Sequence, residues 1–272
     1  MCATTDLQLA KRRSVAEEAC RAAAAIHLKY RRPAIPFETK NGNRRDLVTI
    51  ADTEAQVAAK AVIEAAFPGE AIIGEEDAPT REHIASALGD SAWLIDPLDG
   101  TFNYVHGFPD FSATVAFVAG GDSLAGATYA PLFDEMFSAA KGLGVSLNGE
   151  PIHVSSRKGL RQSVVNVWLG ERSDTAAHER LGRVHQVAHQ QRVFGGTAIV
   201  MAYLAAGRFD LFYVAENGRM GAWDLAAGVI LITEAGGTVT MVDGAPFRLP
   251  SDQIASAADP ETLTELRALL AE

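Results

Sequence analysis

Apolar positions change their spacing several times along this chain, and each change marks a different kind of element. Leu9, Val15, Ala19, Ala22 and Ile26 recur at helical spacing in an Ala-rich stretch. Residues 6–30 therefore predict a long helix, which Arg31-Arg32-Pro33 stops. Pro33, Pro36, Asn41, Gly42 and Asn43 interrupt any period over 33–46, so a mobile loop is expected there. A second helix follows over 51–66 and ends at Phe67-Pro68-Gly69. Ala71-Ile72-Ile73 predicts a short strand, residues 80–88 a short helix, and Trp93-Leu94-Ile95 an apolar strand. Segments 111–119, 124–130 and 134–140 are separated by Gly120-Gly121-Asp122 and Phe133-Asp134, the pattern of an antiparallel meander. Leu147-Asn148-Gly149-Glu150 reads as a hairpin turn.

From about 155 the pattern alternates. Strands are predicted at 163–168, 209–214, 238–242 and 253–257, and helices at 174–190, 197–206, 222–235 and 260–271. The chain thus divides into an N-terminal α+β lobe (1–154), with an antiparallel sheet and two long helices, and a C-terminal α/β lobe (155–272). The two are expected to form one tightly joined unit.

Composition narrows the function. The 272 residues are 48% hydrophobic and 21% charged, which is globular rather than disordered. The net charge of −10 disfavours a protein that grips nucleic acid, but suits one that collects cations on carboxylates. Cys2 and Cys20 read as free thiols and build no metal framework. Asp6, Lys11, Arg12 and Arg13 interrupt any apolar signal core, and no apolar run is long enough to span a bilayer. A cytoplasmic protein is expected.

Candidate chemistry is acidic. In Trp93-Leu94-Ile95-Asp96-Pro97-Leu98-Asp99-Gly100-Thr101 a strand runs into two carboxylates three residues apart. Acids so close repel unless a cation lies between them. Backbone N–H groups after the Gly-Thr turn can hold an anion, especially if a helix begins there. Three further acids stand out: Asp52 and Asp224 at predicted helix starts, and Glu75 directly after a strand and Gly74. Asp52 and Asp224 equally suit helix capping, and Glu75-Glu76 a solvated turn. The seven histidines form no metal cluster; His185 and His189 are an i, i+4 pair on a polar helix. All-oxygen donors favour Mg2+ or Mn2+ over zinc, and acids from distant segments suit two or more ions. Lys40, Arg44 and Arg45 are basic residues in or beside the 33–46 loop; Lys40 could close over a phosphate.

Three motifs in order, Gly74-Glu75-Glu76, Trp93 to Thr101, and Trp223-Asp224-Leu225-Ala226-Ala227-Gly228, resemble the inositol monophosphatase family of the fructose-bisphosphatase-like superfamily. Asp46-Leu47-Val48-Thr49 leading to Asp52, Leu147-Asn148-Gly149 and Glu234-Ala235-Gly236-Gly237 support the match, which covers roughly 46–247. The resemblance implies a layered α/β (α+β) sandwich and a homodimer. It implies Glu75, Asp96, Asp99 and Asp224 as side-chain metal ligands, with two or three Mg2+ ions bound. Leu98 would contribute its backbone carbonyl, so its side-chain identity should matter little. Gly100 and Thr101 would meet phosphate through backbone N–H groups. Thr101 and Asp52 would orient an attacking water that is deprotonated near Glu75. Asp99, Asp224, Gly196, Thr197 and Ala198 would line the substrate. The reaction implied is hydrolysis of a phosphomonoester by metal-activated water, with no covalent phospho-enzyme and with inhibition by lithium.

The substrate-facing positions depart from the family pattern. Asn217 stands where inositol-hydrolysing members carry a Glu, and Val193 where an Arg is common. Arg192 could replace that Arg, and Arg219 and Met220 lie beside the expected mouth. Inositol-1-phosphate is the leading expectation for the substrate, with histidinol phosphate, a sugar bisphosphate or a 3′-phosphoadenosine nucleotide as alternatives. A regulatory binding protein that keeps the fold is the competing reading.

Overall fold

A computed structural model describes residues 3–31, 35–43, 46–77, 79–168, 175–214 and 220–271. In chain order the elements are α1 (Ala3–Tyr30), β1 (Phe37–Thr39), β2 (Leu47–Thr49), α2 (Ile50–Ala66), β3 (Ala71–Gly74), α3 (Arg81–Gly89), β4 (Ser91–Asp99), α4 (Thr101–His106), β5 (Ser112–Ala119), β6 (Asp122–Ala130), β7 (Glu135–Ala140), β8 (Val145–Leu147) and β9 (Glu150–Pro151). They continue as β10 (Val164–Trp168), α5 (Thr175–Val187), β11 (Gln190–Arg192), α6 (Thr197–Ala205), β12 (Leu211–Val214), α7 (Ala222–Glu234), β13 (Thr238–Thr240), β14 (Ala255–Ala257) and α8 (Pro260–Ala271).

Two sheets carry the fold. The larger has seven strands in order β3-β4-β5-β6-β7-β8-β9, antiparallel except where β3 runs parallel to β4. The smaller has five, β11-β10-β12-β14-β13, with parallel pairs β10–β11 and β10–β12. Strand alternation sorts the core into layers. Trp93 and Ile95 of β4 join the cluster under α1 and α2, whereas Ala92 and Leu94 face α6 and α7. Those two helices lie between the sheets: Phe212 and Val214 of β12 share their cluster, while Leu211 and Tyr213 face α5 and α8 with Val184, Leu263 and Leu266. The order of layers is therefore α1/α2, seven-stranded sheet, α6/α7, five-stranded sheet, α5/α8. Because β4 is covered on both faces, it reads as a continuous apolar run instead of an alternating one. No helix among the described residues is long and apolar enough to cross a membrane.

Several expectations need correction. Within the expected 33–46 loop, β1 pairs antiparallel with β2, Thr39 opposite Leu47. Three-residue strands amid Pro, Asn and Gly carry too little alternation to be read. The helix expected to 190 stops at Val187, and Gln190–Arg192 forms an edge strand on β10. An edge strand held by backbone bonds needs no apolar signature. Leu9, Val15 and Ala19 are buried on α1 as expected, together with Ala16, Cys20, Ala23, Ala24 and His27, whereas Ala22 and Ile26 are only partly covered. Small residues there let α1 and α2 approach closely. Cys20 is a buried free thiol whose pKa burial pushes up; Cys2 lies outside the described residues.

Candidate active site

The site begins with an irregularity in β4. Asp96 pairs with Thr114 and Asp99 with Ser112, so three steps along β4 face two along β5. That extra residue is a β-bulge. Side chains alternate along a strand, so acids three apart would otherwise point to opposite faces. The bulge returns Asp99 to the face of Asp96, toward α6 and α7.

Three carboxylates from distant segments meet on that face. Oxygen atoms of Glu75, Asp96 and Asp224 lie within 4.8 Å of one another. Glu75 follows β3, Asp96 is on β4, and Asp224 is the third residue of α7. Asp99 is turned toward the start of α6. Its Oδ1 accepts from the Thr197 N–H (2.8 Å) and its Oδ2 from the Ser112 hydroxyl (3.2 Å) and the Ile199 N–H (3.3 Å). This is an anion at a helix N-terminus, where first-turn N–H groups lack intrahelical partners. Gly196, the residue before that helix, must be small: a Cβ there would lie 2.7 Å from Asp99 Oδ2.

Asp52 and Asp224 are not the capping residues themselves. Thr49 caps α2 with its own Oγ1, accepting from the Ala51 N–H at 3.0 Å. Asp52 sits at the third helical position and takes hydrogen bonds from the Thr49 N–H and hydroxyl on Oδ2, both 2.7 Å. Asp224 Oδ2 likewise accepts from the Gly221 N–H, 2.8 Å. In each case one carboxylate oxygen closes the helix start. The remaining Asp52 oxygen, Oδ1, accepts from Thr101 Oγ1 at 2.9 Å.

Gly100 and Thr101 stand where the chain leaves β4 for α4. Gly100 has φ +84°, and a Cβ there would meet the Asp110 carbonyl at 2.9 Å. Thr101 opens α4, so a helix does begin after the turn. Its hydroxyl reaches the Leu98 carbonyl (3.0 Å) as well as Asp52. The Leu98 side chain is 1% exposed and packs with Ile35, Ala51, Tyr104 and Phe111. Its identity therefore matters for packing, against the sequence-based expectation.

Burial and mutual repulsion set the electrostatics of the cluster. Burial first, and then the charges of Glu75, Asp99 and Asp224, raise the Asp96 pKa well above the carboxylate range. Asp224 is raised in the same direction by burial and then by Glu75 and Asp99. Burial lifts Asp99 to about 6 against its three donors, and Asp52 to about 6 against Thr49 and Thr101. Carboxyls crowded out of water hold protons unless a cation offsets them. A cationic side chain stands at the edge: Lys40 Nζ lies 2.6 Å from Glu75 Oε1 and 2.8 Å from Glu76 Oε1. Burial works against that ammonium, but Glu75 and Glu76 outweigh it and raise its pKa. The donor set is oxygen only, which fits a hard divalent cation.

Other expected contacts are dispersed. Thr197 Oγ1 donates to Met220 Sδ at 3.4 Å, which brings Met220 to the site edge. Arg192 is exposed on β11 and bonds the Gln191 carbonyl. Val193 is also exposed. Asn217, Arg219, Arg44 and Arg45 lie outside the described residues. Sequence reasoning passed over Ser112 and His27. Of these only His27 left a trace, as a polar residue on the buried stripe of α1.

A layered α/β molecule with buried carboxylates gathered beside a helix-opening Gly-Thr turn defines a class: metal-dependent phosphomonoesterases. Comparison with known proteins agrees. The inositol monophosphatase family profile matches residues 8–272. Inositol monophosphatase 2 of Solanum lycopersicum is 35% identical over 215 residues, 78% of this chain and 80% of that one. A Thermotoga maritima fructose-1,6-bisphosphatase/inositol-1-monophosphatase is 38% identical over 207 residues, 76% of this chain and 75% of that one. The solved structure of extragenic suppressor protein suhB from Bartonella henselae superposes with a TM-score of 0.83 at 28% identity, covering 95% of this chain and 98% of that one. The chain belongs to the inositol monophosphatase family and is a phosphomonoesterase of it.

Proposed function

We propose that this protein is a Mg2+-dependent phosphatase of small phosphorylated metabolites, with inositol-1-phosphate first among the substrates to test. The observation that carries the reading is the meeting of Glu75, Asp96 and Asp224 within 4.8 Å, beside the bonded pair Asp52–Thr101. On this reading Glu75, Asp96, Asp99, Asp224 and the Leu98 carbonyl hold two or three Mg2+ ions; Mn2+ would also fit the oxygen donors. Bound Mg2+ supplies Lewis acidity, which makes water a nucleophile near neutral pH and offsets charge on the phosphoryl group.

The chain's own groups do the rest. Ionised Asp52 takes the Thr101 hydroxyl proton into its hydrogen bond, and the Thr101 lone pairs then accept from a water and aim it. Glu75 is the acceptor for that water's proton. The N–H groups of Gly100 and Thr101 receive phosphate oxygens. Gly196 and Thr197 line the side where the leaving group sits, with Asp99 and Asp224 facing it, and Asn217 is a further substrate contact proposed from the sequence. Residues 1–154 and 155–272 act as two lobes that each supply part of the site.

Asn217 in place of a Glu leaves a polyol contact without charge. The likeness to the Thermotoga maritima protein, named for both activities, favours a sugar bisphosphate as the second substrate to test. The test is phosphate release from a panel containing inositol-1-phosphate, fructose-1,6-bisphosphate, histidinol phosphate and 3′-phosphoadenosine nucleotides. Turnover should require Mg2+ and fall with chelator or added Li+. No Mg2+-dependent release from any of them would overturn the reading and favour a binding role. A cytoplasmic homodimer is the accompanying expectation, checked for assembly by light scattering.

A further inference from the structure

The bulge that turns Asp99 onto the face of Asp96 has a structural cost. It takes Pro97 and Leu98 out of register with β5, between the pairs Asp96–Thr114 and Asp99–Ser112. Leu98 has local contacts: its N–H donates to Asp96 Oδ1 at 3.0 Å, and its carbonyl lies 3.0 Å from Thr101 Oγ1, whose one hydrogen it shares with Asp52. Proline has no N–H, so only the Pro97 carbonyl needs a partner. A buried carbonyl left without one is unfavourable.

That partner comes from another layer. His27, on α1 and 0% exposed, places Nε2 2.7 Å from the Pro97 oxygen. A carbonyl only accepts, so Nε2 carries the hydrogen. The other ring nitrogen, Nδ1, is buried with no hydrogen-bond partner. Burial lowers the His27 pKa to about 4, and the Pro97 carbonyl opposes this only in part. The ring is therefore neutral, with its single N–H committed to Pro97.

The imidazole is itself held on several sides. Phe111 meets it edge-on at 5.8 Å and Tyr104 lies tilted at 6.1 Å. The Tyr104 hydroxyl donates to the His27 carbonyl at 2.7 Å. Packing alone would be served by an apolar ring, without an unpartnered nitrogen in the core. The one directional contact this ring makes is with the residue between the two acids.

We propose that His27 is a positioning residue for the metal site: its Nε2–H holds the Pro97 carbonyl and so sets the spacing and direction of Asp96 and Asp99. This rests on the reading that those acids bind a divalent cation. Partners that orient metal ligands typically contribute about 10–100-fold to affinity.

The test is Mn2+ binding, by electron paramagnetic resonance, to the metal-stripped full chain as wild type, His27→Phe and His27→Gln. A glutamine amide N–H can reach where Nε2 lies; Phe fills the space without a donor. Thermal melts in chelator accompany each titration. His27→Phe should bind Mn2+ about 10–100-fold more weakly, and His27→Gln should recover most of that loss. If His27→Phe does not fold, His27→Asn, whose amide stops short of the carbonyl, replaces it with the same expected loss. Equal Mn2+ affinity in wild type and the donor-free variant overturns the proposal. So does equal weakening in Phe and Gln, which would mean shape and not the hydrogen bond matters. Failure of wild type to bind Mn2+ sinks the metal-site reading itself, an outcome distinct from both.

Discussion

Replacing Asp224 by Asn should make the metal-free protein more stable while abolishing its response to Mg2+. The substitution removes one charge from the Glu75–Asp96–Asp224 trio and keeps an oxygen to accept from the Gly221 N–H, so the start of α7 stays closed. Two like charges 4.8 Å apart repel by about 3 kcal/mol at an effective dielectric constant of about 20. Protonation limits the cost. A carboxyl with an ordinary pKa near ~3.9 cannot be penalised by more than about 4 kcal/mol at pH ~7 before it takes up a proton. Although burial of its carboxyl raises the Asp224 pKa, the residue as a whole keeps partial contact with solvent, which screens the repulsion further. A gain of about 2 kcal/mol follows, or about 4–8 °C in Tm for a chain of this size. The assay is a thermal melt near neutral pH in chelator and again in Mg2+. Wild type at ~100 times its Kd for Mg2+ should gain about 2.7 kcal/mol, and the variant much less. An Asp224→Asn protein that melts below wild type in chelator, or shows the full Mg2+ shift, refutes the reasoning.

Other consequences are as direct. Asp52→Asn should lower kcat by about 10²–10⁴-fold with little change in half-saturating Mg2+, since Asp52 works through Thr101; unchanged turnover would remove it from the reaction. Burial raises Asp52 and Asp99 to about 6, so their contribution to stability is full below the unfolded value near ~3.9 and lost as pH rises through about 6. In chelator the Tm should therefore fall across that window and Mg2+ should flatten it, whereas a rising Tm would reverse the sign. Gly196→Ala places a Cβ 2.7 Å from Asp99 Oδ2, which should cost about 1–3 kcal/mol in a denaturant titration and weaken Mg2+ binding. Arg157→Ala strips the fully buried Asp210 carboxylate of its guanidinium, 2.9 and 3.0 Å away. Because Arg157 is partly exposed, we expect about 2 kcal/mol, below the range for a wholly buried pair, measured by denaturant titration with activity per folded molecule retained.

Where the hydrophobic period ran long, sequence and structure agree. Helices α1, α2, α7 and α8 and the β5–β7 meander appear within a few residues of their predicted bounds, because each is long enough to repeat its apolar signal, on one face in α2 and nearly all round in α7 and β5. Short edge strands such as β1 and β11 were invisible, since backbone pairing holds them and their side chains repeat nothing. The Leu98 expectation went wrong for a related reason. A residue read for its carbonyl still has a side chain, and this one fills a small cluster with Phe111 and Tyr104.

The amino-acid sequence determined which groups do the chemistry. Acids at a strand exit and at two helix starts, with no soft metal ligands near them, left a hard cation as the natural partner. What it could not supply was orientation. The bulge at Pro97 decides that Asp96 and Asp99 face the same way, through pairing with a strand thirteen or more residues further on. The layering decides that Asp224 reaches Asp96 across the face of a sheet, and that a histidine seventy residues before Pro97 meets its carbonyl. Local periodicity carries none of this, because a polar contact between layers depends on how the helices dock, and docking is set by the summed packing of the whole core.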